Sequence, residues 1–153
     1  MEVVGVRVEM PSNQPIVLLK EKAGERYLPI WIGTPEATAI ALAQQAVSSP
    51  RPLTHDLLID LVEAIGGIFE SISVDSLEDG VFKASLFFTG ADSRQARPSD
   101  AIVIALKKSI PIYCNEDVLN LAAIEVPDDQ EKEVDQFRQF LDEVNPDDFA
   151  SPS

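Results

Sequence analysis

Cysteine and histidine are nearly missing from this 153-residue chain, which has one residue of each type. The single cysteine, Cys114, excludes an intramolecular disulfide and a zinc site built from several cysteines. Because Cys114 lies in the apolar run IPIYC, we expect a small buried side chain rather than a nucleophile. The single histidine, His55, excludes every mechanism that needs two histidines in one subunit.

Long apolar runs are also missing. No stretch approaches 18 consecutive apolar residues, which excludes an ordinary membrane-spanning helix. Residues 1–10 have no basic region followed by a long apolar one, so we expect no secretory signal. Together with the single cysteine, this predicts a cytoplasmic location. The length and the apolar fraction of 45% are typical of one globular domain.

Basic residues are scarce: Lys and Arg number 12 against 26 Asp and Glu, for a net charge of −14. Residues 127–153 carry half of this charge, with nine acidic and two basic residues. Because Lys and Arg supply much of the affinity for phosphate backbones, the composition argues against tight, sequence-independent binding of nucleic acid. It leaves room for an enzyme that binds nucleic acid weakly through a local basic patch, with the candidates Arg51, Arg94, Arg97, Lys107 and Lys108.

Hydrophobic periodicity and turn residues predict three strands, two helices, two strands, a helix, a strand and a short helix, in that order. The first three strands are expected to form an antiparallel meander, and Pro29 places the third strand at an edge or a bulge. This order is typical of an α+β (mixed α/β) fold, in which helices pack on a mixed, mostly antiparallel sheet. The predicted elements span residues 2–10, 16–19, 26–32, 34–47, 54–65, 68–74, 81–88, 99–108, 110–114 and 115–121.

Three predicted helices begin with residues that can satisfy the free backbone N–H groups of a helix start. Thr34 and Thr54 are the expected caps of the first two helices. Either Ser99 caps the third helix, or Arg97 marks its boundary and Pro98 is its first residue. Acidic residues follow in each first turn, where the helix dipole favours negative charge; they are Glu36, Asp56 and Asp100.

His55 and the pair Arg97–Asp100 each have a structural and a functional interpretation. His55 either fills the first helical turn behind Thr54 or serves as a neutral base or metal ligand, since a helix start disfavours the protonated imidazole. Arg97 and Asp100 can pair, which would lower the cost of placing charge beside the apolar run 101–106. They can equally belong to a site.

The acidic C-terminal region, residues 127–153, is predicted to be distinct from a body of residues 1–126. Apolar residues recur in it at helical spacing, which predicts an amphipathic helix before a loose tail. The apolar face of this helix packs on the body, joins subunits or binds a protein partner. The residues that form the face are Val134, Phe137, Phe140, Leu141 and Val144.

Three segments of the chain, LPIWIGTPEATAIALAQQ, RPLTHDLL and ARPSDAIVIALKKSIPIYCNEDVL, resemble in their order and spacing the bifunctional nuclease domain family. The resemblance covers roughly residues 1–126. It implies a compact mixed α/β fold that self-associates, and a nuclease that acts on both RNA and DNA. The residues that it implicates are Glu36, His55, Asp56, Arg97, Ser99 and Asp100.

Action on DNA as well as RNA has a chemical consequence, because DNA lacks the 2′-hydroxyl that could serve as nucleophile. Water must then attack, and a divalent metal held by carboxylates, Mg²⁺ or Mn²⁺, is the usual activator. If the three helix starts converge, they bring three carboxylates beside helix ends that favour a phosphate. The resulting hypothesis has Glu36, Asp56 and Asp100 as catalytic or metal-binding carboxylates, His55 activating water, and Arg97, Ser99 and Thr54 binding the substrate.

A non-catalytic function is the competing hypothesis. A small acidic homo-oligomer could bind or regulate a partner through the same surface or through the C-terminal helix. The net charge of −14 favours this alternative. Uniform negative potential around His55 and Asp100 would favour it further, whereas a local basic patch would favour the nuclease.

Overall fold

Residues 1–125 are described by the computed structural model, and their first three strands form the predicted antiparallel meander. These strands are β1 (Glu2–Glu9), β2 (Gln14–Lys20) and β3 (Arg26–Trp31). A two-residue strand from the end of the described chain, Ile124–Glu125, pairs with β3 at Arg26 and Tyr27 only. Pro29 therefore has a strand partner on one side alone, as its missing N–H requires.

Four further strands form a second sheet. Its long hairpin turns at Asp79 and Gly80, whose φ angles are +51° and +76°, and Asp-Gly is a pair that two-residue hairpin turns favour. The predicted loop 75–80 is wrong for this reason, because the strand continues to the residue before Asp79. The strands are β4 (Phe69–Glu78), β5 (Val81–Phe88), β6 (Arg94–Ala96) and β7 (Ile112–Cys114), in the spatial order β6-β5-β4-β7. The two-residue strand Ile124–Glu125 of the first sheet is β8.

Strand β6 lies between the predicted elements 81–88 and 99–108, where the sequence predicts no strand. It pairs with β5 through residues as polar as Arg94 and Gln95, so its strand geometry depends on the neighbouring strand rather than on its own pattern. The α+β class with mostly antiparallel pairing is confirmed, and β4–β7 is the parallel pair. The strands form two sheets rather than the single predicted sheet. Within residues 1–125, no strand of the first sheet pairs with a strand of the second.

The helices are α1 (Thr34–Gln44), α2 (Thr54–Ala64), α3 (Pro98–Lys108) and α4 (Glu116–Ala122). Helix α3 is buried as its apolar run predicts, with every residue from Ala101 to Ala105 at most 3% exposed. The alanine-rich α1 packs against it. None of the helices within residues 1–125 is long and apolar enough to cross a membrane.

The helix starts differ from the predicted caps. Gly33 and Leu53 occupy the N-cap positions, so Thr34 and Thr54 lie inside α1 and α2 and cap neither helix. In α2 the carboxylate of Asp56 instead accepts the N–H of Leu53, at 3.0 Å. The N-cap of each helix is therefore the residue before the threonine that the pattern predicts.

For α3 the second alternative is correct: Arg97 is the N-cap and Pro98 the first helical residue. Ser99 caps nothing and is only 5% exposed. Asn115 does cap α4, since its side chain accepts the N–H of Asp117. The predicted boundary at residue 126 and the predicted C-terminal helix lie outside the described residues.

Candidate active site

The starts of α1, α2 and α3 face one cavity of about 670 Å³. Its polar lining includes Glu36 from α1, His55 from α2, and Arg97 and Asp100 from the start of α3. Three segments that are far apart in the sequence thus contribute to one site. This convergence is the arrangement on which the catalytic hypothesis depends.

His55 and Asp100 are in direct contact, with 3.0 Å between Nε2 and Oδ1. Both side chains are partly buried, at 22% and 34% exposure. A carboxylate only accepts hydrogen bonds, so the geometry assigns the proton of the neutral ring to Nε2. Nδ1 then keeps its lone pair and is the nitrogen that can accept a proton.

Arg97 bridges the two carboxylates of the site. Its Nε donates to Oδ2 of Asp100 at 2.8 Å, and its Nη2 donates to Oδ1 at 3.2 Å. Its Nη1 donates to Oε1 of Glu36 at 2.9 Å, which ties α1 to α3. Hydrogen bonds to Asp100 and then to Glu36 raise the pKa of Arg97. The side chain is nonetheless 63% exposed, so it lies at the rim of the cavity.

Asp100 is held in its ionised form. Burial alone raises its pKa, but hydrogen bonds from Arg97 and His55 and their charges outweigh burial and leave the pKa below its usual value. Its position in the first turn of α3 also favours negative charge. An ionised Asp100 is the form that orients the imidazole of His55.

Asp56 does not join this cluster. Its Oδ1 accepts a hydrogen bond from Nζ of Lys107 at 2.7 Å. That bond and the one from the N–H of Leu53 lower the pKa of Asp56. Asp56 and Lys107 line a separate cavity of about 700 Å³, between the α1–α2 connection and the end of α3.

The metal site predicted from three carboxylates is therefore not assembled. Asp56 points to the other cavity, while Glu36 and Asp100 are both bound to Arg97. Within residues 1–125, no group of three or more His, Cys, Asp or Glu side chains is placed to hold a metal ion. The donor set of this arrangement does not fit the Mg²⁺ or Mn²⁺ site of the hypothesis.

Of the remaining predicted residues, Thr54 lines the cavity and Ser99 does not. The buried Ser99 borders a smaller cavity of about 360 Å³ together with Trp31 and Phe82. Cys114 is half-buried, and burial raises the pKa of its thiol to about 11. A thiol with this pKa is protonated at neutral pH, as expected of a residue that is no nucleophile.

The predicted basic patch is not assembled in one place: four of its five residues are divided between the two cavities, and Arg51 lines neither. Arg94 and Arg97 line the cavity of His55. Their two positive charges balance the two negative charges of Glu36 and Asp100 there. Lys107 and Lys108 line the other cavity and pair with acidic residues of α2, Asp56 and Glu63. The cavity of His55 thus has no uniform negative charge, in contrast to the chain as a whole.

Sequence reasoning missed the rest of the lining, which is mostly apolar. One wall consists of side chains from α2, β5 and α3, and Gln95 of β6 lies beside Arg94 at the edge. Alternation in β5 indicates which of its residues share a face, but not that this face meets α2. The apolar residues of the wall are Leu58, Val62, Leu86, Phe88 and Ile104.

The chain is similar to known proteins over most of its length. The family model described as "Bifunctional nuclease domain" matches residues 17–127, a range that includes all of the polar residues above. Two curated proteins from Mycobacterium tuberculosis are each 49% identical to the chain over 160 residues, covering 99% of the chain and 98% of the relative. They are "Uncharacterized protein MT1877" of strain CDC 1551 / Oshkosh and "Uncharacterized protein Rv1829" of strain ATCC 25618 / H37Rv.

Proposed function

Because the chain belongs to the bifunctional nuclease domain family, we propose that it hydrolyses phosphodiester bonds in RNA and DNA at the cavity of His55. The observation that carries the proposal is the contact chain His55–Asp100–Arg97–Glu36, which joins three helix starts at one cavity. A base oriented by a carboxylate, next to an exposed guanidinium, is what water attack on a phosphodiester needs.

His55 is the proposed general base. Its Nδ1 takes a proton from a water molecule while the water oxygen forms a bond to phosphorus, and the P–O bond to the leaving oxygen breaks. The proton then returns from His55 to the leaving oxygen or to solvent. Asp100, bound to Nε2, holds the ring in the required tautomer and stabilises the imidazolium that forms. This chemistry does not use the 2′-hydroxyl and therefore serves RNA and DNA alike.

Arg97 is the proposed phosphate ligand. A guanidinium has five N–H donors, of which Arg97 uses three on Asp100 and Glu36. The two remaining donors lie on an exposed side chain and are available to a nonbridging phosphate oxygen. The negative charges of its two carboxylate partners reduce the net attraction between Arg97 and a phosphate. This agrees with weak binding of the substrate.

The test is hydrolysis of single-stranded RNA and of duplex DNA, followed across a size-exclusion peak. Wild type is compared with His55→Gln and Asp100→Asn, in Mg²⁺, in Mn²⁺ and in EDTA. Asp60→Asn is the matched control, because Asp60 lies on α2 but lines the other cavity. Activity that follows the peak and is lost in the two site variants, but not in the control, supports the proposal. Activity that persists in both folded site variants contradicts it.

A second candidate, a non-catalytic oligomeric binding module, is favoured by one observation. Leu53, Leu57, Leu61 and Ile65 lie four residues apart from the N-cap to the C-cap of α2 and are between 47% and 86% exposed. Such an apolar row is typical of a surface that contacts another protein or a second copy of the chain. Sedimentation of wild type and Leu61→Ser over a range of concentrations tests self-association, and the hydrolysis assay separates this candidate from the nuclease.

A further inference from the structure

The apolar wall of the His55 cavity has no part in the chemistry just described. Leu58 and Val62 of α2 line it together with Leu86 and Phe88 of β5, in the same cavity as the polar cluster. A phosphate group makes no use of such a surface, because it offers only charged and polar oxygens. The wall therefore indicates a second, apolar part of the ligand.

A nucleotide has that part, since its base has flat apolar faces. Stacking of a base on aromatic and apolar side chains contributes affinity without regard to the base sequence. Phe88 is half-buried and is held by Phe69, whose ring centroid is 6.2 Å from its own. Its ring thus packs against the hydrophobic core as well as lining the cavity.

We propose that this wall is a subsite for the base of an unpaired nucleotide next to the scissile phosphate. The inference rests on the proposed nuclease function and names the form of its substrate, a single-stranded segment of RNA or DNA. Arg97 binds the phosphate at the rim, while the base enters between Leu58 and Phe88. The amide of Gln95, at the edge of the cavity, is available to the polar edge of the base.

Preference for single strands follows from the position of the wall inside a cavity. A base in a duplex is stacked and paired, so its faces reach Leu58 and Phe88 only after unpairing, which costs free energy. In a single strand the base is already accessible. Stacking contacts the flat face of the base, which RNA and DNA both have. The subsite is therefore expected to accept both RNA and DNA.

The experiment measures binding separately from hydrolysis. Fluorescence anisotropy gives the Kd of the His55→Gln protein for a labelled oligodeoxythymidylate and for an abasic oligodeoxynucleotide of the same length. The two probes have the same phosphates and differ in the bases alone. We expect the abasic probe to bind about tenfold more weakly, the size of effect that loss of base stacking produces.

Variants then locate the effect. Leu58→Ala and Phe88→Leu should weaken binding of the thymidylate probe and leave the abasic probe unchanged. Leu121→Ala is the control, since Leu121 is an exposed leucine of α4 that does not line this cavity. Leu58 is itself 39% exposed, so its truncation does not open the core, and melting temperatures check this.

The outcomes separate the subsite from the nuclease. Equal Kd values for the two probes, or equal losses in the wall variants and the control, overturn the base subsite while wild-type hydrolysis leaves the nuclease in place. Base-dependent binding that the wall variants abolish supports the subsite even if wild type hydrolyses neither RNA nor DNA. In that case only the nuclease proposal is lost. A duplex that is cleaved as fast as the matching single strand also counts against the subsite.

Discussion

The imidazole of His55 donates from Nε2 to Oδ1 of Asp100 over 3.0 Å, which joins the first turn of α2 to the first turn of α3. The two residues are 45 positions apart in the sequence. Asp100 is in turn fixed by two hydrogen bonds from Arg97. The ring is therefore oriented by a carboxylate whose own position is fixed.

Replacement of Asp100 by Asn tests this orientation. An amide can present its NH₂ to Nε2, which shifts the ring proton to Nδ1 and removes the lone pair that accepts the proton of water. We expect kcat to fall by about 10²- to 10⁴-fold, the usual contribution of a positioned general base, with a smaller change in KM. Steady-state kinetics on a single-stranded oligonucleotide measure both constants. An unchanged kcat in the folded variant would refute the role of the His55–Asp100 pair.

Local features of the fold were predictable because they depend on neighbours in the sequence. The six apolar residues 101–106 predict a buried helix, and the spacing of Arg97 and Asp100 allows the pair that the structure contains. The Asn115 cap is similarly local. The contact between His55 and Asp100 has no local signal, since it requires two helix starts to meet.

The cavity that the Asp56 side chain faces was likewise not predictable from the local sequence. Its spacing from the helix start predicts a place in the first turn of α2, which is correct. Adjacent residues on a helix point about 100° apart, so His55 and Asp56 need not face the same cavity, and in this structure they do not. Asp56 pairs with Lys107, a residue of another helix, and no pattern around Asp56 reveals this contact.

Asp56 also gives a prediction about pH and stability. Its pKa is lowered in the folded protein by Lys107 and by the N–H of Leu53, so its contribution is fully present above the unfolded pKa of about 4. The contribution is lost as the pH falls through the lower, folded value. We expect Asp56→Asn to reduce the free energy of unfolding by about 0.5–1 kcal/mol at neutral pH, the size expected for a partly exposed ion pair at a helix start, and by progressively less below about pH 4. Urea unfolding of both proteins at several pH values measures this. A gap that widens in acid would contradict the prediction.

The β4–β5 hairpin offers a test of backbone conformation alone. Gly80 has a φ of +76°, and a Cβ built there would meet nothing within 4 Å. Gly80→Ala is therefore expected to destabilise the protein through strain at positive φ, by about 1 kcal/mol. Asp79→Asn is the matched control, because asparagine also tolerates the φ of +51° at that position. Thermal unfolding of the two variants measures the difference, and equal melting temperatures would be inconsistent with this turn.

Helix α2 should respond very differently to substitutions on its two sides. Ile59 is 7% exposed and belongs to the core, so Ile59→Ala is expected to cost about 2–5 kcal/mol. Leu61, two positions later, is 60% exposed, and Leu61→Ser should change the stability of the isolated subunit by less than about 0.5 kcal/mol. If α2 mediates self-association, however, the Leu61 variant loses stability that depends on protein concentration, because subunit binding stabilises only the folded state. Unfolding measured at low and high protein concentration distinguishes the two situations. A large, concentration-independent loss in Leu61→Ser would mean that this side of α2 packs within the subunit.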